Sequence, residues 1–395
     1  MATPPNPALI DAKERLDRLI ANARSQGLMP ITIAETLFHV RGGTARLSEA
    51  DSVRKNSYHW CAAMNQRLFK KGLSLNRSYW DKLFTDHMPG KSLAELDRAN
   101  RDAAGIAETY VYARLRQTVE SLQPIRAMVV AGRGGVFSLA AFLNAFENDP
   151  KLRRSVDKAY EIVVHALFNA VASRVQAQVT VSVTMRDPSV LADFKDFCEM
   201  LLGVNAANPS VTVPAKLYRV GGANSRDGGV DLWANFGPAI QVKHVTLDES
   251  KAQPIADAIS ADQMVIVCDK MEKASIEAVM KQVGLAARVR GFITKADLTR
   301  WYDLALSQRH AKDMAAPLFD ALLAEFDDEF SLADPAAIDA MMREREYDKV
   351  TLAEMWAIDK PVQRGKKKTA SGPVKSDAMK KVKRSGGKPR KSSKP

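Results

Sequence analysis

The chain has 395 residues, 46% of them hydrophobic and 26% charged, and its 58 Lys and Arg against 46 Asp and Glu give a formal net charge of +12. A chain of that length can bury a sizeable core unaided, and the wide spacing of Cys61, Cys198 and Cys268 speaks against a disulfide framework or structural zinc site. The start, MATPPNPALIDAKERLDRL, has no basic region followed by an apolar one, and no run nears the roughly 18 apolar residues of a membrane span, so the expectation is a cytoplasmic globular protein with no membrane partner.

In chain order, ALIDAKERLDRLIANAR, PITIAETLFHVRGG and SVRKNSYHWCAAMNQRLFKKG carry apolar residues at three- and four-residue spacing and stop at Gly27, Gly42–Gly43 and Gly72. They predict a mostly helical region over 1–150. Arg54, Lys55, Tyr58, Arg67, Lys70, Lys71, Arg77 and Tyr79 read as solvated faces and core aromatics before they read as DNA contacts. AGRGG at Ala131–Gly135 lacks the Gly-Lys-Ser/Thr ending of a phosphate loop and the full G-x-G-x-x-G of a dinucleotide fold, and is read as a turn.

Over 151–310 the rhythm becomes mixed α/β. RRSVDKAYEIVVHALFNAVASRV predicts an amphipathic helix with Val156, Ala159, Tyr160, Val163, Val164, Leu167 and Val171 on its apolar side, and VQAQVTVSVTM alternates like a half-buried strand. DFKDFCEMLLG and KASIEAVMKQVG read as helices; VDLWANF, AIQVKHV and MVIVC read as strands. LTRWYDLALSQ, MAAPLFDALLAEFDDEF and AAIDAMMREREYD return to helical spacing, giving a helical C-terminal region over 311–363. The tail, 364–395, holds 13 Lys and Arg and one acid, Asp377, which leaves 45 basic and 45 acidic residues elsewhere. With many Gly, Ser and Pro and few large apolar residues it reads as disordered, either a nonspecific phosphate-holding segment or a solubilising extension.

The chemistry-bearing stretch is GGVDLWANFGPAIQVKH, from Gly228 to His244. A hairpin centred on Phe236 sets Asp231 opposite Gln241 and Trp233 opposite Ala239, and alternation puts Gln241 and Lys243 on one face with Val242 and His244 on the other. Asp231, Gln241 and Lys243 then converge. A carboxylate and a second oxygen ligand suit a hard divalent cation that keeps several waters, and a nearby ammonium can position the attacking water and offset phosphate charge. Glu161, on the helix before the sheet, is the candidate second carboxylate; its ordinary alternative is a helix-surface pair with Lys158. His244 points away from the site and reads as structural, and the chain has no recognisable nucleophile elbow for a catalytic triad.

Asp231 with Gln241-Val242-Lys243 resembles the D…(D/E/Q)-x-K signature of the PD-(D/E)XK nuclease fold, in the variant with Gln at the middle position. RRSVDKAYEIVVHALFNAV, VPAKLYRVGGANSRDGGVDLWANFGPAIQVKHVTLDE and ISADQMVIVC are similar to the HaeII family of type II restriction endonucleases, and the likeness extends more weakly from the first helix to about Asp348. The resemblance implies an α/β core of the restriction-endonuclease type and a Mg2+-dependent homodimer cutting double-stranded DNA at a short palindrome, RGCGCY in the family. It also implies a companion DNA methyltransferase. Asp231 and Glu161 would hold Mg2+, Gln241 would complete or orient the shell as a weaker neutral ligand, and Lys243 would serve the water and the phosphate. The tail is an addition to the family pattern. Lys216, Arg219, Asn224, Ser225 and Arg226, leading into Asp231, are the candidate DNA contacts, with loop solvation as their ordinary alternative. Two other classes stay open: a structure-selective or modified-DNA nuclease of the same fold, and a noncatalytic DNA-binding protein.

Overall fold

The computed structural model describes residues 6–23, 28–72, 81–184, 188–220, 230–243, 263–268, 270–282, 284, 286–352 and 354–358. The basic tail, Arg77, Tyr79, Asn224, Ser225, Arg226 and His244 lie outside the described residues.

The N-terminal apolar spacing resolves into α1 (Pro7–Asn22), α2 (Leu28–Arg41), α3 (Ala50–Phe69), α4 (Gly90–Asp102) and α5 (Ile106–Gly132). Then come α6 (Leu139–Asn148), α7 (Val156–Arg174), β1 (Gln178–Ser182), α8 (Pro188–Asp193), α9 (Lys195–Leu202) and β2 (Ser210–Pro214). The main sheet is built from β3 (Leu217–Arg219), β4 (Leu232–Ala234), β5 (Ala239–Lys243), β6 (Met264–Cys268) and β7 (Val289–Thr294), in that spatial order. Between β6 and β7 runs α10 (Lys270–Gln282); α11 (Lys295–Ala305), α12 (Ala311–Glu329) and α13 (Pro335–Glu344) follow. The architecture is mixed and mostly helical. Among the described residues no helix is long and apolar enough to cross a membrane.

Within the sheet, β3, β4 and β5 form an antiparallel meander, while β6 and β7 join parallel to β5. Its Ile240 and Val242 face α7 and share a core with Ile162, Val163, Phe142 and Phe326. On the opposite face Met264, Ile266 and Cys268 pack with Ile276 and Met280 of α10. The Ala131–Gly135 segment ends α5 and turns at 133–135, and Gly132 is required by a close approach: a Cβ there would collide with the ring of Phe319.

Two sequence expectations change. VQAQVTVSVTM forms β1, but among the described residues β1 pairs only with β2, in a separate antiparallel ribbon whose two strands are largely exposed instead of half-buried. Val171, expected on the apolar side of α7, is exposed because that helix packs through Ile162, Ala166 and Ala170 as well. Arg54 and Arg67 are occupied by ion pairs, Arg54 with Asp51 and Asp81 and Arg67 with Glu344, as solvated-face residues are.

The apolar interior has a second centre. Leu16, Leu37, Leu68, Leu96 and Tyr112 from α1–α5 pack with Ile338, Met341, Tyr347 and Trp356 from the C-terminal segment. A polar network stitches the two segments together: Arg345 reaches Glu35 at 2.6 and 2.9 Å, Arg41 reaches Glu108 at 2.8 Å, and Tyr112 and Tyr347 donate to Glu35 and Glu108. A buried ion pair contributes little beyond an apolar replacement, but removing one member strands the other charge in low dielectric. Arg345→Met is expected to destabilise the protein by about 3–5 kcal/mol, with Glu35→Gln/Arg345→Met costing less than the two single changes added; denaturant unfolding of the four proteins checks both.

Candidate active site

The β4–β5 hairpin has the register read from the sequence. Trp233 lies opposite Ala239 and Leu232 opposite Ile240. The turn at Asn235–Pro238 closes with Gly237 at φ +115°, a conformation that favours glycine. Asn235 ties it down, its side chain donating to the Pro214 carbonyl and accepting from Lys216 N–H.

The ladder breaks at Asp231. Its N–H goes to the Ile240 carbonyl at 3.1 Å, so both Asp231 and Leu232 oppose Ile240, and its Oδ2 accepts from Val242 N–H at 2.8 Å. That N–H would meet the Val230 carbonyl in a continued ladder. A bulge of this kind re-aims a side chain: Val230 joins the core under α10, while Asp231 comes near enough to α7 for its charge to act on Glu161.

Glu161 is the centre of the site. Its side chain is 1% exposed, bonded to Lys158 Nζ at 2.7 and 2.8 Å, with Arg219 Nη2 at 3.6 Å. Burial pushes its pKa up to about 7, helped by the charge of Asp231 and opposed by Lys158 and Arg219. The pairing with Lys158 that the ordinary alternative expected is present, but inside the protein and not on the helix surface.

Arg219, read from the sequence as a DNA contact, turns inward with a side chain 9% exposed. Besides Glu161 it binds Glu325 at 2.7 Å and Glu329, both on α12. Burial alone would lower its pKa, but these two carboxylates raise it. Burial would likewise raise the pKa of Glu325, yet hydrogen bonds from His165 and Arg219 outweigh it and hold Glu325 down at about 2. His165 sits between the elements, with Nε2 on the Leu217 carbonyl at 2.9 Å and Nδ1 3.0 Å from Glu325.

Glu325, Glu329 and His165 are absent from the sequence reading. The available signal was on α12, where Leu318, Leu322, Glu325 and Glu329 follow one another at spacings of four, three and four: carboxylates continue an apolar stripe into the interior. Gln241 is fully buried, and alternation sets it on the face of β5 opposite Ile240 and Val242, level with Ile266. The Asp231 carboxylate touches the peptide joining Gln241 to Val242. Lys243 ends β5, with its side chain outside the described residues, and Lys216 is exposed beside the hairpin turn. The side chains in direct contact are therefore Glu161, Lys158, Arg219, Glu325 and Glu329, with Asp231 adjoining them through the backbone, its carbonyl accepting from Val220 N–H at 2.9 Å.

The geometry is that of a buried acid on a helix beside a bulged hairpin, inside a mixed helix-and-sheet core, and comparison of the whole chain with known proteins identifies the enzyme class as type II restriction endonuclease. The chain belongs to the HaeII restriction endonuclease family, whose profile matches residues 12–347. It is 34% identical to the type II restriction enzyme HaeII of Haemophilus aegyptius over 340 residues, 86% of this chain and 97% of that one. It is 35% identical to the type II restriction enzyme NgoBI of Neisseria gonorrhoeae over 331 residues, 83% and 93% of the respective chains. No solved structure gives a significant match.

The raised pKa of Glu161 sets a sign for stability. The unfolded carboxyl ionises near 4.5 and the folded one near 7, so the contribution of this group to stability is full below pH 4.5 and declines as pH rises to about 7. Glu161→Gln should remove that decline; the difference between wild-type and variant melting temperatures, followed across the same interval, is expected to change in favour of the variant with rising pH.

Proposed function

We propose that the protein is a Mg2+-dependent homodimeric restriction endonuclease that hydrolyses double-stranded DNA at a short palindromic site, RGCGCY being the sequence to test first. A DNA methyltransferase is its functional companion, and a PD-(D/E)XK-like core carries the reaction. The observation that carries this reading is the buried Glu161 carboxylate of α7, held by Lys158 and by Arg219 of the strand that adjoins Asp231, inside a chain of the HaeII family.

The donor set suits Mg2+. Among the described residues no group of three or more His, Cys, Asp and Glu is placed to hold a metal, which disfavours an all-protein cage; Mg2+ binds through one or two carboxylates and keeps several waters. Asp231 has one oxygen engaged by Val242 N–H, and its Oδ1 has no partner among the described residues. Asp231 and Glu161 would hold the ion; Gln241, on the opposite face of β5, would act on the site only through the peptide whose N–H the Asp231 carboxylate accepts. Bound there, Mg2+ supplies charge neutralisation of the scissile phosphate and acidification of a water.

The chain's own residues do the rest. Lys158 and Arg219 favour the ionised form of Glu161 against its burial. Glu325 and Glu329 fix Arg219. Lys243 positions the water and offsets phosphate charge. DNA contact falls to Lys216 and to Asn224, Ser225 and Arg226, with Arg219 acting from inside the site. The tail adds salt-sensitive affinity without choosing the sequence.

Unmodified plasmid incubated with the protein and Mg2+ should give discrete bands. Asp231→Asn and Lys243→Ala should each lower the cleavage rate on the order of 100-fold or more while retaining DNA binding. A smear, cleavage confined to junctions or methylated DNA, or undiminished activity in both variants would overturn the reading. Deleting residues 364–395 should weaken DNA binding and flatten its dependence on salt, with the band pattern unchanged.

A further inference from the structure

Of the 18 large hydrophobic residues exposed among the described residues, 13 fall between Val171 and Phe236. Singly scattered apolar residues are normal on a monomer, but several on adjoining turns of one short helical arm mark a surface that another molecule covers. Its densest part is the α8–α9 arm. There Val190, Phe194, Phe197 and Leu201 recur at spacings of four, three and four, and Phe194 is 59%, Phe197 58%, Met200 77% and Leu201 67% exposed. Among the described residues α9 buries none of its side chains. The accompanying β1–β2 ribbon exposes Val181 and Val213. A two-stranded ribbon alone is marginal in water and needs a third strand or a packed face.

We infer that this arm, residues 188–202 with the β1–β2 ribbon, is the surface through which two copies of the chain associate. DNA is a poor occupant: the described residues of 188–202 carry Asp193, Asp196 and Glu199 against Lys195, and an acidic, apolar surface repels a phosphate backbone. The area fits a second copy. The eight exposed apolar residues of arm and ribbon, 37–77% exposed, leave several side chains' worth of apolar surface uncovered, of the size of the roughly 800 Å² that one partner gives to a standard interface. A two-fold contact buries the same patch on both partners, so one sequence feature serves both sides. The choice of a second copy over an unrelated protein rests on the reading of this chain as a nuclease of palindromic sites. The arm also continues directly through β2 into β3, which carries Arg219 into the acidic site.

The test is sedimentation velocity of the full chain over a wide concentration range, beside Phe197→Glu/Leu201→Glu and, as a control, Leu304→Glu, an exposed apolar residue of α11. All three residues being exposed, thermal melts should show folded proteins of near wild-type stability. Wild type and Leu304→Glu should dimerise alike, and the double variant should raise the dissociation constant at least tenfold, about 1.4 kcal/mol. Hydrogen exchange of 188–202 in wild type should slow as concentration rises. A wild type that is monomeric throughout, a double variant as dimeric as wild type, protection independent of concentration, or protection appearing only with DNA would each overturn the inference. Plasmid cleavage separates the two readings: association through the arm with no cleavage by wild type would sink the nuclease assignment and leave the interface standing.

Discussion

Everything around the candidate site depends on keeping one carboxylate, that of Glu161, under the sheet. Such a charge is expensive to bury, and the protein meets the cost with Lys158 one helical turn away and Arg219 from the adjoining strand. Arg219 is itself buried, and α12 supplies Glu325 and Glu329 to hold it. His165, one further turn along α7, then bridges Glu325 to the strand carrying Arg219. The helix after the sheet is thus part of the site's electrostatics, and the close packing of Phe319 on Gly132 and of Phe326 among the aromatics of α6 fixes where those glutamates stand.

The hairpin was legible in the sequence because its information is local. The number of residues between two alternating runs, with Gly237 in the turn, sets the register of Trp233 on Ala239. Glu161 was a candidate because an amphipathic helix packed across the sheet can aim one carboxylate at it. What failed to show was set by long-range packing. The bulge at Asp231 leaves no mark in an alternating pattern, so Asp231 and Gln241 look like directly opposed residues on one face, while in the structure the Asp231 N–H goes to the Ile240 carbonyl and its carboxylate accepts from Val242 N–H. Arg219 looked like a solvent-seeking arm until α12 enclosed it. Strand β1 looked half-buried because alternation reports a two-faced strand without saying which surface, if any, covers the apolar face.

The same separation of local and distant information divides the interior. Helix α5 runs through both apolar centres: Leu115 and Val119 belong to the one shared with the C-terminal segment, Leu122, Ile125 and Val129 to the one beneath the sheet. A single helix, with Pro124 in its interior, therefore spans the helical lobe and the layer that carries the site.

The return of the chain to its beginning has a consequence for order in time. The N-terminal centre is assembled from residues 12–119 and again from 333–356, and Glu35 finds its cation at Arg345, 310 residues later. A ribosome releases α1–α5 long before it releases the segment that fills and neutralises them. The first lobe to be synthesised is the last to be completed, and the closing of its interior waits on the emergence of nearly the whole chain.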